Sequence, residues 1–214
     1  MFGRRLAAAL GALALAAFVL PLAPRAADEA SAKDGLEVAT FAAGCYWCVE
    51  SDFDKVDGVV ETTSGFTGGH TANPTYEEVG SGSTGHAESL LVKFDPKKVS
   101  YSQLLDHYWH HVDFLDGRGQ FCDRGNQYRP AIFTHSPEQK KLAEESKAAI
   151  GRQFNKPIAV EIVDAQTFTP AEEYHQDYYN KNPLKYKFYR YSCGRDQRIA
   201  QIWESVGKAA EAGH

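Results

Sequence analysis

The sequence predicts an α+β domain, and three observations support this. Strand-like and helix-like segments mix without a strict βαβ repeat, which disfavours a doubly wound parallel sheet. The 214 residues, 43% hydrophobic and 24% charged, suffice for one sizeable domain and hardly two. No internal repeat or low-complexity linker divides them. A net charge of −5 argues against nucleic acid as the main partner.

The N-terminus reads as an address. Arg4-Arg5 precede an apolar run from Leu6 to Leu22, followed by Pro24 and small residues. Ala30-Ser31-Ala32 fits a cleavage site, and Ala26-Ala27 offers another. Residues 1–32 are therefore expected to be a signal peptide, cleaved or retained as an anchor, ahead of a single domain over 33–214. Arg4-Arg5 gives only weak support for a twin-arginine signal, and the lack of a cysteine after the apolar run disfavours lipid attachment. The expected setting is exported and periplasmic, with no stable membrane association after cleavage.

Val38 to Ala43 is an apolar run that reads as a buried strand. Gly44-Cys45-Tyr46-Trp47-Cys48 follows, and Val49 to Phe53 reads as the first turns of a helix. Gly58 to Phe66 alternates as a strand, Thr67 to Pro74 is a glycine-rich loop, and Ser89 to Phe94 is a strand stopped by Asp95-Pro96. Ser100 caps a helix to Val112. Asp113 to Arg129 reads as a long functional loop. A strand at Pro130 to Phe133, a helix opened by Ser136-Pro137 and running to Phe154, and a strand at Ile158 to Val163 come next. A short helical stretch opens at Thr169-Pro170 and ends before Pro183; Lys185 to Tyr191 reads as extended, and a last helix runs from Ile199 to Ala210.

Cys45 thus falls where a strand turns into a helix. Unpaired N–H groups and a partial positive charge at such a point lower a thiol's pKa and favour the nucleophilic thiolate. Cys48 lies one helical turn on, within reach of an oxidised Cys45. Tyr46 and Trp47 can form an apolar wall beside the sulfur; core packing is the bland alternative. Glu88, at the end of a loop and among apolar residues, can keep a raised pKa and act as a proton donor. Asp123, Tyr76 and Tyr128 are candidates for hydrogen bonding a polarised oxygen, although most tyrosines simply pack. The histidines show no zinc-protease spacing, and the cysteines lack a second pair with zinc spacing, so no metal is expected.

Gly44-Cys45-Tyr46-Trp47, Gly65-Phe66-Thr67-Gly68-Gly69, Asn73-Pro74-Thr75-Tyr76, Gly85-His86-Ala87-Glu88, Gln127-Tyr128-Arg129 and Tyr174-His175-Gln176-Asp177-Tyr178 resemble, in order, the A-type peptide-methionine (S)-sulfoxide reductases. The resemblance runs from about Val38 to Trp203. It implies a two-layer, ferredoxin-like α+β core with a mixed sheet. It also implies that Cys45 attacks the sulfoxide sulfur, with Glu88 as acid and Tyr76 and Tyr128 on the oxygen. Asp123 would support them, and Tyr46 and Trp47 would hold the methyl group. No bound cofactor is implied; a thioredoxin-like dithiol supplies electrons. Oxidised proteins or peptides carrying methionine sulfoxide are the partners, and the chain is expected to be a monomer.

The family commonly carries Phe where Tyr46 stands and often Gly where Cys48 stands. Cys48 is the favoured resolving thiol here. Neighbouring helical turns set β-carbons ~5–6 Å apart, whereas a disulfide needs ~3.5–4.5 Å, so Cys193 remains an alternative. Cys122 is expected to be a reduced structural thiol. Two other readings compete: a thioredoxin-like disulfide carrier, suggested by strand-C-x-x-C-helix, and a non-catalytic binding module built on the aromatic wall.

Overall fold

The computed structural model describes residues 35–211; the signal-like segment over 1–32 lies outside the described residues. The first strand, β1 (Glu37–Ala42), leads into α1 (Tyr46–Phe53), β2 (Val59–Thr67), α2 (Tyr76–Gly80), β3 (Ala87–Phe94) and α3 (Tyr101–Trp109). A short hairpin follows, β4 (Gly119–Gln120) and β5 (Asp123–Arg124), then a 3-10 turn at Asn126–Tyr128. β6 (Ala131–Thr134), α4 (Pro137–Phe154), β7 (Glu161–Asp164) and β8 (Thr169–Pro170) complete the strands. The chain closes with a 3-10 turn at Glu173–His175 and the helices α5 (Tyr178–Lys181), α6 (Pro183–Ser192) and α7 (Arg195–Glu211).

The main sheet has the order β7-β6-β1-β3-β2-β8, antiparallel throughout except for the parallel pair β6 and β7. Its centre, β6-β1-β3-β2, with α1 crossing from β1 to β2, has the ferredoxin-like order expected. The two-residue period of the strands sorts the faces. Ala39, Phe41, Leu90, Val92, Phe94 and Ile132 point to one side and join Val49 and Phe53 of α1 and Leu104, Leu105, Tyr108 and Trp109 of α3 in the main core. The opposite parity carries a smaller cluster, Ala42, Ala87, Ala131 and Phe133. Helix starts follow local chemistry: Ser100 and Thr75 form reciprocal capping boxes with Gln103 and Glu78, and Ser136 caps α4 with Pro137 at its first position.

Three elements depart from the sequence reading. Lys185 to Tyr191, expected to be extended, lies inside helix α6. Its aromatic residues favour strands in general, but Asn182-Pro183 starts a helix, and Tyr186, Tyr189 and Arg190 form its inward face. The segment after Thr169 is an edge strand, a 3-10 turn and a single-turn helix rather than one helical stretch. Within the long loop from Asp113, the β4–β5 hairpin is ordered by Gln120. Its side chain accepts the Asp113 N–H (2.8 Å) and donates to the carbonyls of Asp113 (2.9 Å), Asp116 (3.1 Å) and Gly119 (3.0 Å).

Candidate active site

Cys45 is the N-cap of α1, its carbonyl accepting the N–H groups of Cys48 (3.1 Å) and Val49 (3.3 Å). The turn before it requires glycine. Gly44 has φ +82°, and a β-carbon there would lie 2.6 Å from Cβ of Gln120. The hairpin loop is therefore pressed directly against the cysteine turn. Cys45 and Cys48 are both free thiols, 7% and 2% exposed, and their side chains hydrogen-bond each other.

The resting thiol is not the activated one that the helix start suggested. Burial pushes the Cys45 thiol well up, and the neighbouring Cys48 and Glu88 add to this; the Tyr189 hydroxyl opposes it. Desolvation of the sulfur outweighs the helix end. The Cys48 thiol is instead held low by its hydrogen bond from Cys45, then by the Arg195 and Arg190 guanidiniums, against burial. Those cations are fixed by a buried network: Arg190 pairs with Asp52 (2.8 Å) and Asp196 (2.6 Å), while Arg195 donates to the carbonyls of Ala43 (3.0 Å) and His111 (2.7 Å).

Glu88 lies in β3 rather than at the end of a loop. It shares the parity of Leu90 and Val92, so its carboxyl extends the apolar face toward the start of α1. Its Oε2 accepts the Tyr46 N–H at 3.1 Å. It is 4% exposed. Burial pushes its pKa to about 8 in spite of that hydrogen bond, with Asp123 and Cys48 raising it further. A neutral carboxylic acid thus stands beside the cysteine turn.

Tyr76 and Tyr128 are half-buried, from α2 and the 3-10 turn after the hairpin. Both feel the charges of Glu88, Cys45 and Asp123, with burial the leading cause; Tyr76 is pushed up to about 12 and Tyr128 is also raised. Asp123, in β5, is raised by burial and steadied by Tyr189 and Arg195. The structure therefore brings Cys45, Glu88, Tyr76, Tyr128 and Asp123 into one electrostatic cluster.

Tyr46 and Trp47 line an aromatic enclosure that includes His175. The Trp47 indole N–H donates to Nδ1 of His175 (3.1 Å), and its ring stacks on Tyr178 at 3.8 Å. Tyr46 and Tyr76 pack on His175 at 5.3 and 4.4 Å between centroids. Among the described residues, Tyr46 Oη and His175 Nε2 are buried without a hydrogen-bond partner.

Cys122 and Cys193 are disulfide-bonded, with Cα atoms 4.9 Å apart. This corrects two expectations. Cys122 is not a reduced structural thiol, and Cys193 is not free to be the first partner of Cys45. The hairpin places Cys122 against the end of α6, a proximity that a sequence separation of 71 conceals. Cys122, Asp123 and Cys193 cluster closely enough for a metal, but two of these groups are spent in the disulfide.

Sequence reasoning missed Tyr189, Arg195, Gln120 and His175 as parts of the site. Only His175 sat in a recognised motif. Gln176 of the same motif is architectural: its amide bonds the backbone N–H (2.8 Å) and C=O (2.9 Å) of Ser64, steadying β2 beside the site. His86 is likewise structural, accepting from Gly69 N–H (3.2 Å) and bonding the Thr71 carbonyl (2.7 Å).

A buried cysteine pair, one helical turn apart and faced by a neutral carboxylic acid and an aromatic enclosure, defines a thiol-dependent reductase of small polarised groups. The sequence pattern of the family described as peptide methionine sulfoxide reductase matches residues 37–206, and the chain belongs to that family. It is 51% identical over 174 residues to peptide methionine sulfoxide reductase MsrA of Listeria monocytogenes (strain HCC23), covering 80% of this chain and 98% of the relative. It is 52% identical over 169 residues to the MsrA of Bacillus licheniformis, covering 78% and 93%. Among solved structures, methionine sulfoxide reductase A of Corynebacterium diphtheriae aligns with a TM-score of 0.64 and 36% identity, covering 70% of this chain and 76% of that one. Mxr1 from Saccharomyces cerevisiae in reduced form gives 0.67 and 31%, covering 70% and 87%. The protein is a methionine sulfoxide reductase.

Proposed function

We propose that the chain reduces the (S)-epimer of methionine sulfoxide in exported proteins, through a sulfenic acid on Cys45 and then a Cys45–Cys48 disulfide. The observation that carries this reading is the neutral Glu88 carboxyl held by the Tyr46 N–H beside the Cys45 sulfur. A sulfoxide oxygen becomes a leaving group only as it gains a proton, and Glu88 is the acid in place to give it. Tyr76 and Tyr128 hold the oxygen, and Asp123 supports them. Tyr46 and Trp47 receive the methyl group.

Atoms and electrons balance in two steps. Cys45 thiol and sulfoxide give methionine and Cys45 sulfenic acid, the oxygen passing to the cysteine sulfur. Cys48 thiol then displaces that oxygen as water, forming the disulfide. Cys48 already hydrogen-bonds Cys45, and its lowered pKa suits the second attack. The bond between Cys193 and Cys122 supports Cys48 as the first resolving thiol. A thioredoxin-like dithiol then restores the pair. The signal-like N-terminus supports a periplasmic site of action, and we read the working form as a monomer.

The test offers reduced protein a peptide carrying each epimer. Loss of the (S)-sulfoxide alone is expected. Consumption of neither epimer, with reduction of protein disulfides, supports the disulfide-carrier reading instead.

A further inference from the structure

We propose that Tyr189 is a further catalytic residue, its hydroxyl carrying the proton of Cys45 to the Asp123 carboxylate. The proposal rests on the reading of Cys45 as the attacking sulfur. It answers a difficulty that the geometry raises. The sulfur must become a thiolate to attack, yet it is 7% exposed and burial holds it neutral. Glu88 cannot be the base, because it must keep its own proton for the sulfoxide oxygen.

Tyr189 stands on the inward face of α6. Its hydroxyl hydrogen-bonds Oδ2 of Asp123 and also the sulfur of Cys45. Its ring meets Trp47 edge-on at 6.0 Å, which fixes its place beside the sulfur. A phenol has one proton and can accept another bond, so it can sit in the middle of a relay. At rest, the Tyr189 O–H donates to the Asp123 carboxylate and the Cys45 S–H to Cys48; to enter the relay, the S–H turns from Cys48 to Oη. The S–H bond then breaks as its proton passes to Oη, while the former phenol proton passes to Oδ2. Cys45 becomes a thiolate that accepts from Tyr189, Asp123 becomes a neutral acid, and Tyr189 is unchanged. No electron leaves or enters.

The fold joins the two ends of this relay covalently. Cys122 immediately precedes Asp123, and Cys193 caps α6 with its N–H on the Tyr189 carbonyl at 2.9 Å. Their disulfide ties the carboxylate to the helix that bears the phenol. The ionisable groups acting on Cys45 are Cys48 on its own helix, Glu88 on β3, Tyr46, Tyr76 and Tyr128, besides Tyr189. A carboxylate at Glu88 or a thiolate at Cys48 would oppose a second negative charge, whereas Tyr189 supplies a hydrogen bond that favours it.

The test is Tyr189→Phe, which keeps the ring against Trp47 and removes only the hydroxyl. First-turnover sulfoxide reduction is expected to slow by about tenfold or more, the loss of one hydrogen bond to a charged group, while KM moves by less than about threefold. Alkylation of Cys45 by iodoacetamide should shift to higher pH, a readout that a packing role would not move. Asp123→Asn should shift the same profile, and Tyr191→Phe, on the exposed face of α6, should leave both unchanged. Wild-type rate and alkylation profile in Tyr189→Phe overturn the proposal. If Cys45→Ser still turns over, the failure lies instead with the reading of Cys45.

Discussion

Replacing Glu88 by Gln should separate what the buried carboxyl does for chemistry from what it costs the fold. The carboxyl is displaced from an ordinary 4.5 to about 8, equivalent to roughly 5 kcal/mol at about 1.36 kcal/mol per pH unit. Because the folded value is the higher one, the stability that depends on this proton is complete below pH 4.5 and is lost as pH rises to about 8. Gln keeps an oxygen for the Tyr46 N–H and has no charge to bury. The variant should therefore gain on the wild type steadily across that window, by about 3 kcal/mol at pH 7. Glu50, which burial pushes to about 7, contributes a similar slope to both proteins and cancels in the comparison. Activity should move the other way. The wild-type first-turnover rate should fall as pH passes about 8 and the acid ionises; Glu88→Gln should be slower by about 100-fold or more and should lack that falling limb. Urea unfolding and single-turnover kinetics across pH 5 to 9 make the two measurements. Parallel stability slopes in the two proteins, together with a retained alkaline limb in the variant, would refute the acid role.

Cys48→Ser should reduce one equivalent of sulfoxide and stop with Cys45 as a sulfenic acid, trapped by dimedone; sustained turnover would transfer resolution to Cys193, freed as a thiol once the dithiol reductant opens the Cys122–Cys193 bond. Tyr46→Phe removes a buried hydroxyl that lacks a partner and should raise stability by about 1–2 kcal/mol, measured by urea unfolding, with turnover little changed. A large rise in KM would show that the hydroxyl binds substrate. Arg195→Met leaves the buried Asp52 with one cation fewer and should destabilise the fold by about 3–5 kcal/mol, while shifting Cys48 alkylation to higher pH because the guanidinium no longer favours its thiolate.

Much of the site was legible because its chemistry is local. Gly44 and Cys45 announce a strand-to-helix turn within a few residues, and the apolar neighbours of Glu88 mark it as an acid of raised pKa, although it lies inside β3 rather than at a loop end. What was hidden depends on distance along the chain. The Cys122–Cys193 bond cannot be deduced from four cysteines, since spacing does not set connectivity. Tyr189 is one of eleven tyrosines, and its role exists only because α6 folds back on the hairpin. The same helix was misread because its outward residues, Leu184, Phe188 and Tyr191, are large, apolar and exposed, the reverse of the usual amphipathic signal. The charge state of Cys45 was misjudged for a related reason: a helix N-terminus can be read locally, but the burial that outweighs it comes from the whole fold.

The most direct measurement is mass mapping of cysteine bonds after one turnover of reduced-site protein with a stoichiometric (S)-sulfoxide. A new Cys45–Cys48 bond beside an intact Cys122–Cys193 bond is the expected product. Cys45 found joined to Cys193, or left as a free thiol after the sulfoxide is consumed, would contradict it.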